Sequence, residues 1–320
     1  MLRSRLVTQL LLAGTMVLGG GLASGQNYPY KPLRIVTSEP GGGTDFAARL
    51  IARRLSNPLG QQVIVENRGG GGGALLADLV LKAQPDGYTL LYFTNALWLA
   101  PYLRDHVSYD PVKSFSPIIL VARSPSVLVV HPSVPAGSVK ELIALAKARP
   151  GELNYGSGAV GLLAAELLKA MAGINIVRVP YKGAGAALNA AIAGEIQVLM
   201  AASGGIAPQI KAGRVRALAV TGATRSLAFP ELPTIAEAAL PGYEATAVHG
   251  MFAPAGTPAA IIHRLNQEIT QVLAAPEIRE KLLAAGIEIA GGLPEQFAAA
   301  IKSEMSTMGK VIKDAGIRDE

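Results

Sequence analysis

Cysteine is absent from the 320 residues, so neither disulfides nor thiolate metal sites hold this chain together, and a large ordinary core must supply its stability. Histidine is scarce: His106, His131, His249 and His263 are the full set, and no two stand at a metal-ligand spacing such as i, i+4. The sequence calls for no metal and no cofactor. Aromatic residues make up 5% of the chain and no run of Lys and Arg is interleaved with them, which sets nucleic acid aside despite a net charge of +6. No glycine loop is followed by Gly-Lys-Ser/Thr, and no G-x-G-x-x-G sits in a strand context with a downstream acid, which argues against a nucleotide site. Ser157 has Tyr155 two residues before it where a nucleophile elbow needs glycine, and no serine has a credible base.

The residues that are present begin with a leader. Arg3 and Arg5 precede an apolar core from Leu10 to Leu18, followed by small residues through Gly25. This is the pattern of a signal peptide over residues 1–25, cleaved after Gly25 or, as second choice, Ala23. The core is far shorter than the roughly 20 residues that cross a bilayer, and no cysteine follows to carry a lipid. The mature chain is expected to be soluble outside the cytoplasm. Its charge falls from +6 to +4 with the loss of Arg3 and Arg5.

Apolar patterning then alternates between two periods. Leu33 to Val36 reads as a buried strand, Phe46, Leu50, Ile51 and Leu55 as a helix stripe, Gln62 to Glu66 as a strand, Ala74 to Ala83 as a helix and Leu90 to Phe93 as a strand. That alternation is the grammar of a parallel sheet covered by helices. It restarts with a strand region from Leu120 to Pro132, a helix opened by Ser138, LNYGS, a helix over 162–171, IVRVP, and a helix, Gly194 and a strand within AALNAAIAGEIQVLMAAS. Two long helices close the chain. One is placed after Thr257 as N-cap with Pro258 as first residue, the other starts at Pro294.

The stretch SEPGGGTD, residues 38–45, puts glycines before a helix, whose leading N–H groups have no internal partner and carry the positive end of the peptide dipoles. Glycine lets an anion approach that end closely. Four such places occur: Gly41-Gly42-Gly43-Thr44, Gly69 to Gly73, Gly156-Ser157-Gly158 and Tyr181-Lys182-Gly183. Split between two α/β units, they suggest a cleft lined by donors. With phosphate signatures missing, a carboxylate is the expected anion.

The run YPYKPLRIVTSEPGGGTDFAARL, then GQQVIVENRGGGGGA and PDGYTLL, resembles the periplasmic receptors of tripartite tricarboxylate transporters, the Bug family. PGELNYGS, VPYKGAGAAL, IKAGRVRALAVTGATRS, LPTIAEA and FAPAGTPAAIIHRLNQEI extend the resemblance in order over essentially the whole mature chain. It implies a type II periplasmic binding protein of α/β class, with two α/β domains joined by two crossing strands and a ligand cleft at that hinge. Domain 1 would combine residues 26–123 and 250–320, and domain 2 would span 124–249. The implied role is capture of a small carboxylate for a membrane permease, with no catalysis. A ligand-presenting accessory to a membrane sensor kinase is the alternative. A monomer is expected.

By the same resemblance the carboxylate is held by the loops at Pro40 to Asp45, Gly72, Gly73 and Ala74, and around Ser157 with Gly156 and Gly158. Asp45 reads better as a helix-start acid favoured by the dipole than as a ligand contact. Thr94 and Asn95 are candidate wall residues, and Tyr181, Lys182 and Gly183 form a second-domain loop in which Lys182 either pairs with a ligand acid or is solvated. Three departures stand out. Thr37, Ser38 and Glu39 replace the usual proline and aromatic residues, Ala201-Ala202-Ser203 replaces a segment that often carries an acid or amide, and His249 stands where tryptophan is common. A carboxylate at Glu39, if it faces the pocket rather than solvent, would repel a second ligand acid. The expected ligand is then a monocarboxylate, amino acid or pyridine or aromatic acid rather than a tricarboxylate.

Overall fold

The computed structural model describes residues 28–69, 73–157, 159–181 and 184–318. The leader assigned to residues 1–25 lies outside them. Among the described residues no helix is long and apolar enough to cross a membrane.

In chain order the first half of the fold runs β1 (Leu33–Thr37), α1 (Gly43–Leu59), β2 (Val63–Asn67), α2 (Ala74–Leu81), β3 (Thr89–Thr94) and α3 (Ala96–Leu103). The long β4 (Phe115–Val130) leads into α4 (Val139–Ala148), β5 (Asn154–Ser157), α5 (Ala159–Ala172), β6 (Val177–Pro180), α6 (Ala184–Ala193), β7 (Val198–Ala202), α7 (Ser203–Lys211), β8 (Arg216–Val220) and α8 (Ile235–Ala238). The return is made by β9 (Thr246–Pro254), α9 (Ala259–Ala274), α10 (Pro276–Ala284), β10 (Glu288–Ile289) and α11 (Pro294–Asp314).

The strands line up as β2-β1-β3-β9-β4-β7-β5-β6, with β8 and β10 also pairing with β4. Around β1 and around β5 the pairing is parallel, as the alternating pattern requires, while β9 and β4 run antiparallel to their neighbours. On the first-half sheet, α1, α9 and α10 bury one face and α2, α3 and α11 the other. On the second half, α4, α5 and α8 cover one face and α6 and α7 the other. Few aromatics are present, and they are pooled: the single Trp98 packs at 5.9 Å from both Phe252 and Phe297 under the α3–α11 face.

β4 is one strand serving two halves. Its residues Phe115 to Pro125 pair with β9, and from Ser126 onward it pairs with β7, with β8 joining at Val127. At this crossover the buried Thr221 ties three segments together. Ser126 N–H donates to Thr221 Oγ1 at 2.8 Å, Thr221 N–H to Ser126 C=O at 2.9 Å, and Ala245 N–H to Thr221 C=O at 2.9 Å. Nearby, Ser203 Oγ donates to Pro125 C=O at 2.8 Å. The two halves also approach backbone to backbone, since a Cβ on Gly204 would stand 2.5 Å from the carbonyl oxygen of Ala285. Leu163 of α5 packs into the first-half core, and Met308 and Val311 of α11 pack against the second-half core.

The structure extends several expected elements and moves one cap. The strand expected over Leu120 to Pro132 starts at Phe115, because it must reach across the whole first half before crossing. Thr257 does not cap α9: its hydroxyl donates to Pro254 C=O at 2.8 Å, and Pro258 holds the N-cap position instead. The stripes Ile261, Ile262, Leu265, Ile269, Val272 and Phe297, Ile301, Ile312 are buried as expected, with Met305 and Met308 partly buried against them. Four short helices escaped the pattern, the four-residue α8 opened by Thr234 and three others. α3 is apolar on all sides and contains Pro101, α7 contains Gly204, Gly205 and Pro208, and α10 is nine residues opened by Pro276.

His249 lies in β9, stacked on Tyr92 at 6.0 Å, with Nδ1 buried and unpartnered among the described residues. Burial pushes its pKa down to about 4. Above pH ~6.5 the imidazole is neutral in both states; as pH falls toward 4 the unfolded chain takes up the proton first, so stability is lost across that window. The loss attributable to His249 is about 3 kcal/mol, and a His249→Phe variant followed by chemical denaturation at stepped pH should show a shallower decline between pH ~6.5 and ~4. A Thr221→Val variant strips the acceptor from Ser126 N–H at constant volume and should cost about 1–3 kcal/mol in the same assay at neutral pH.

Candidate ligand cleft

A cavity of about 270 Å³ lies where the first-half loops face the crossover and α5. One wall is α3, which presents Asn95, Ala96, Leu99, Ala100, Leu103 and Arg104 along a single face, spanning about 13 Å at 1.5 Å per residue. Leu76, Phe93, Leu162 and Leu163 add apolar surface, and Ser38, Thr44, Thr94, Ser126 and Thr246 add hydroxyls.

Three helices start at this cavity. α1 begins after Gly42, α2 after Gly73 and α3 after Asn95, and none of these N-cap residues makes a side-chain cap hydrogen bond. Their leading N–H groups and dipoles therefore converge on the space between Thr44, Gly73 and Ala96. Gly73 is required where it stands: its φ is +99°, and a Cβ there would come within 2.4 Å of Phe93.

The first of these loops is braced from behind by Asp45. Its carboxylate accepts from Gly41 N–H at 2.9 Å, Asn67 Nδ2 at 2.8 Å and Arg49 Nε at 2.9 Å, while Asn67 also donates to Ser38 C=O at 2.7 Å. Burial pushes the Asp45 carboxyl up, and these hydrogen bonds outweigh it, holding the group below its ordinary value. Asp45 is 5% exposed and absent from the cavity lining, in keeping with a helix-start role.

Of the sequence-selected residues, Ser38, Glu39, Thr44, Gly73, Thr94 and Asn95 line the cavity together. Pro40, Gly41, Gly42 and Gly43 form the turn behind it, and Ala74 lines an outer trough beside Arg104. Glu39 is exposed at the mouth and its side chain lies over Gly69, where a Cβ would be 2.4 Å from Glu39 Cγ. In the second half, Gly156 is packed under Ile196 and Tyr181 is half-buried against the α6–α7 core, both away from the cavity lining. Ser203 is 2% exposed and committed to Pro125 C=O, so the structure makes it a crossover strut rather than a wall residue. The backbone of Ser157 pairs with Pro180, while Gly72, Gly158, Lys182 and Gly183 lie outside the described residues.

Sequence reasoning missed Arg68 and Arg104, the two cationic groups of the lining, and the apolar face of α3. Arg68 directly precedes the glycine run, a position that could have flagged it; its Nη2 bonds Glu66 at 2.6 Å, and Arg34 holds the other Glu66 oxygen at 3.3 Å. Asn95 also borders a second hollow of about 270 Å³ behind the cavity, shared with Arg123, Glu244 and Glu304. Burial raises the Glu304 carboxyl above its ordinary value, against the lowering effect of hydrogen bonds from Asn95 and Trp98 and the charge of Arg123; Glu244 adds to the rise.

Residues 47–317 match the family described as the tripartite tricarboxylate transporter family receptor. A protein of Pseudomonas sp. (strain P51), named for the tcbD-tcbE intergenic region, is 40% identical over 290 residues, 89% of this chain and 86% of its own. Among solved structures, R. palustris Rpa4515 with adipate aligns at a TM-score of 0.83 with 38% identity, covering 91% of this chain and 99% of that one. MatC (Rpa3494) from Rhodopseudomonas palustris with bound malate aligns at 0.80 with 29% identity, covering 89% and 100%.

The brace predicts its own loss. Asp45→Ala should cost about 2 kcal/mol in denaturant unfolding, because Gly41 N–H and Asn67 lose their shared acceptor. Alanine at the exposed Arg49 should cost less than about 1 kcal/mol. Equal stability of the Asp45 variant and the parent would show that the turn holds without it.

Proposed function

The chain belongs to the tripartite tricarboxylate transporter receptors, the TctC or Bug family of periplasmic solute-binding proteins, which are receptors and not enzymes, and from that premise we propose that its cleft takes a small carboxylate with an apolar body. The observation that carries this reading is the convergence of three uncapped helix N-termini on one cavity. They favour a single compact anion at one place. The adipate and malate held by the two R. palustris proteins support a carboxylate as that anion.

The rest of the lining bears on the body attached to the acid head. Leu76, Phe93, Leu99, Leu103 and Leu162 offer apolar surface, and a citrate-like ligand would have to desolvate three charges against it. Glu39 at the mouth adds a like charge. A monocarboxylate, an amino acid or a pyridine or aromatic acid fits better than a tricarboxylate. We assign the cradle to Ser38, Glu39, Pro40 to Asp45, Gly72 to Ala74, Thr94 and Asn95; Gly156 to Gly158 and Tyr181 to Gly183 are the loops of the opposite half, and since Gly156 and Tyr181 stand away from the lining, they would reach a ligand only on closure.

We keep the unit boundaries at 123/124 and 249/250, a reading supported by the change of strand pairing at Pro125/Ser126 and the start of β9 at Thr246. Ligand bridging both units would favour the closed arrangement because only there does it touch both. Cleavage near Gly25 would release the receptor to the periplasm, where it would hand ligand to the permease subunits of a tripartite transporter.

Thermal shift on the mature protein, unfolded and refolded to strip bound solute, tests this. A ligand at about 100 times its Kd adds about 2.7 kcal/mol, several degrees for a chain of this size. Benzoate, nicotinate and amino acids should shift the transition more than citrate, and Glu39→Ala should narrow that gap. A shift confined to polyacids would overturn the ligand class, and an unchanged ranking in the variant would remove Glu39 from the explanation.

A further inference from the structure

Asn95 stands between the cavity and the hollow behind it, and its amide is pinned from behind. Nδ2 donates to Thr246 C=O at 3.0 Å and to Glu304 Oε1 at 2.7 Å, while the other Glu304 oxygen accepts from Trp98 Nε1 at 3.1 Å. A carboxylate and a backbone carbonyl accept only, so they dictate which end of the amide is nitrogen. Both N–H donors are spent. Oδ1 has no partner among the described residues, and it is not one of the sealed unpartnered atoms, which are Tyr92 Oη, Ser124 Oγ and His249 Nδ1. Nδ2 faces Glu304 of the hollow behind, so we take Oδ1 as the edge of the amide left to the ligand cavity.

We infer that Asn95 reads the ligand as an acceptor, selecting a carboxylic acid that carries a hydroxyl or amino hydrogen on the carbon next to its carboxylate. The position is set by the chain: Asn95 immediately precedes Ala96, whose N–H is one of the uncapped donors of the anion cradle, so an acid seated there brings its α-substituent to Asn95 Oδ1. An asparagine in a carboxylate cleft is otherwise expected to donate to the acid. Here Glu304, which lines the hollow behind rather than the cavity, and Thr246 C=O forbid it. Asn95 is thus a specificity residue, and Glu304 a positioning residue acting through it. The inference rests on the cavity being the carboxylate site proposed above.

Matched pairs separate the two ideas. Titration calorimetry with malate against succinate, and phenyllactate against phenylpropionate, should give the hydroxy acid an advantage of up to about tenfold in Kd in at least one pair, the worth of one hydrogen bond. Asn95→Ala should erase that advantage. Glu304→Gln should reduce it while Asn95 stays in place, because the Trp98 N–H claims the new amide's oxygen and turns its NH₂ against Asn95 Nδ2, leaving Thr246 C=O alone to hold the Asn95 amide. Equal Kd values within both pairs for the parent protein, or an undiminished advantage in a folded Asn95→Ala variant, would overturn the assignment of Asn95, and an undiminished advantage in a folded Glu304→Gln variant would remove Glu304 as its positioning residue. Binding of the unsubstituted acids would in that case leave the receptor reading standing. Silence toward carboxylates of every kind would overturn both.

Discussion

The constraint on which this structure depends is that two halves of a sheet share one strand and face each other across a cleft. β4 solves it by changing partners at a single peptide, and the change leaves backbone groups that neither half's ladder satisfies. Thr221 takes them up through its hydroxyl, its N–H and its carbonyl, joining β4 to the start of β9 through the end of β8. A buried unpaired N–H at the junction would cost about as much as a large share of a domain's net stability. The aliphatic path across the halves is thin by comparison, resting among the described residues on Leu163, Met308 and Val311. Polar bonds at the crossover fix where the chains pass while leaving little apolar area to resist movement of one half against the other.

The cleft inherits its chemistry from the same arrangement. Parallel strands β1, β2 and β3 deliver their helices from one end of the sheet, so three N-termini arrive together without any side chain being selected to bind an anion. This is why the anion cradle is built from glycines and backbone, and why its integrity is guarded by a residue that does not line it, Asp45. Selectivity is left to the walls: the apolar face of α3, the two arginines and Glu39.

That division explains what could be read from the sequence. Alternating periods gave strands and helices of both halves, and the glycine runs before Asp45 and Ala74 marked two of the three N-termini, because turn geometry is written locally. α3 was invisible for the opposite reason. ALWLAPYL is apolar throughout, so it has no period, and its two buried sides serve different ends: Trp98 packs the core and Leu99 and Leu103 face the cavity. Ser203 was a candidate because it falls in the segment where the resembling family often carries an acid or amide, but its partner, Pro125, is 78 positions away, a relation that spacing along the chain does not reveal. The cap at α9 slipped by one residue because Thr257 had a nearer acceptor in Pro254.

Asn95 joins the hinge to the cleft. It ends β3, opens α3, borders both hollows and binds β9 at the crossover through Thr246 C=O. A single amide thus feels the position of the hinge strand on one side and the ligand on the other. Any motion of β9 relative to α3 strains the Asn95–Thr246 bond, and the Glu304 carboxylate, anchored to Trp98 in the most densely aromatic part of the core, holds the amide against that strain. The crossover strand and the cavity wall are therefore coupled by geometry: the residue proposed to read the ligand is fixed by β9 where β4 changes partners. Buried polar groups cost more to strand than to pair, and the chain has placed the pairing where the crossover meets the cavity wall.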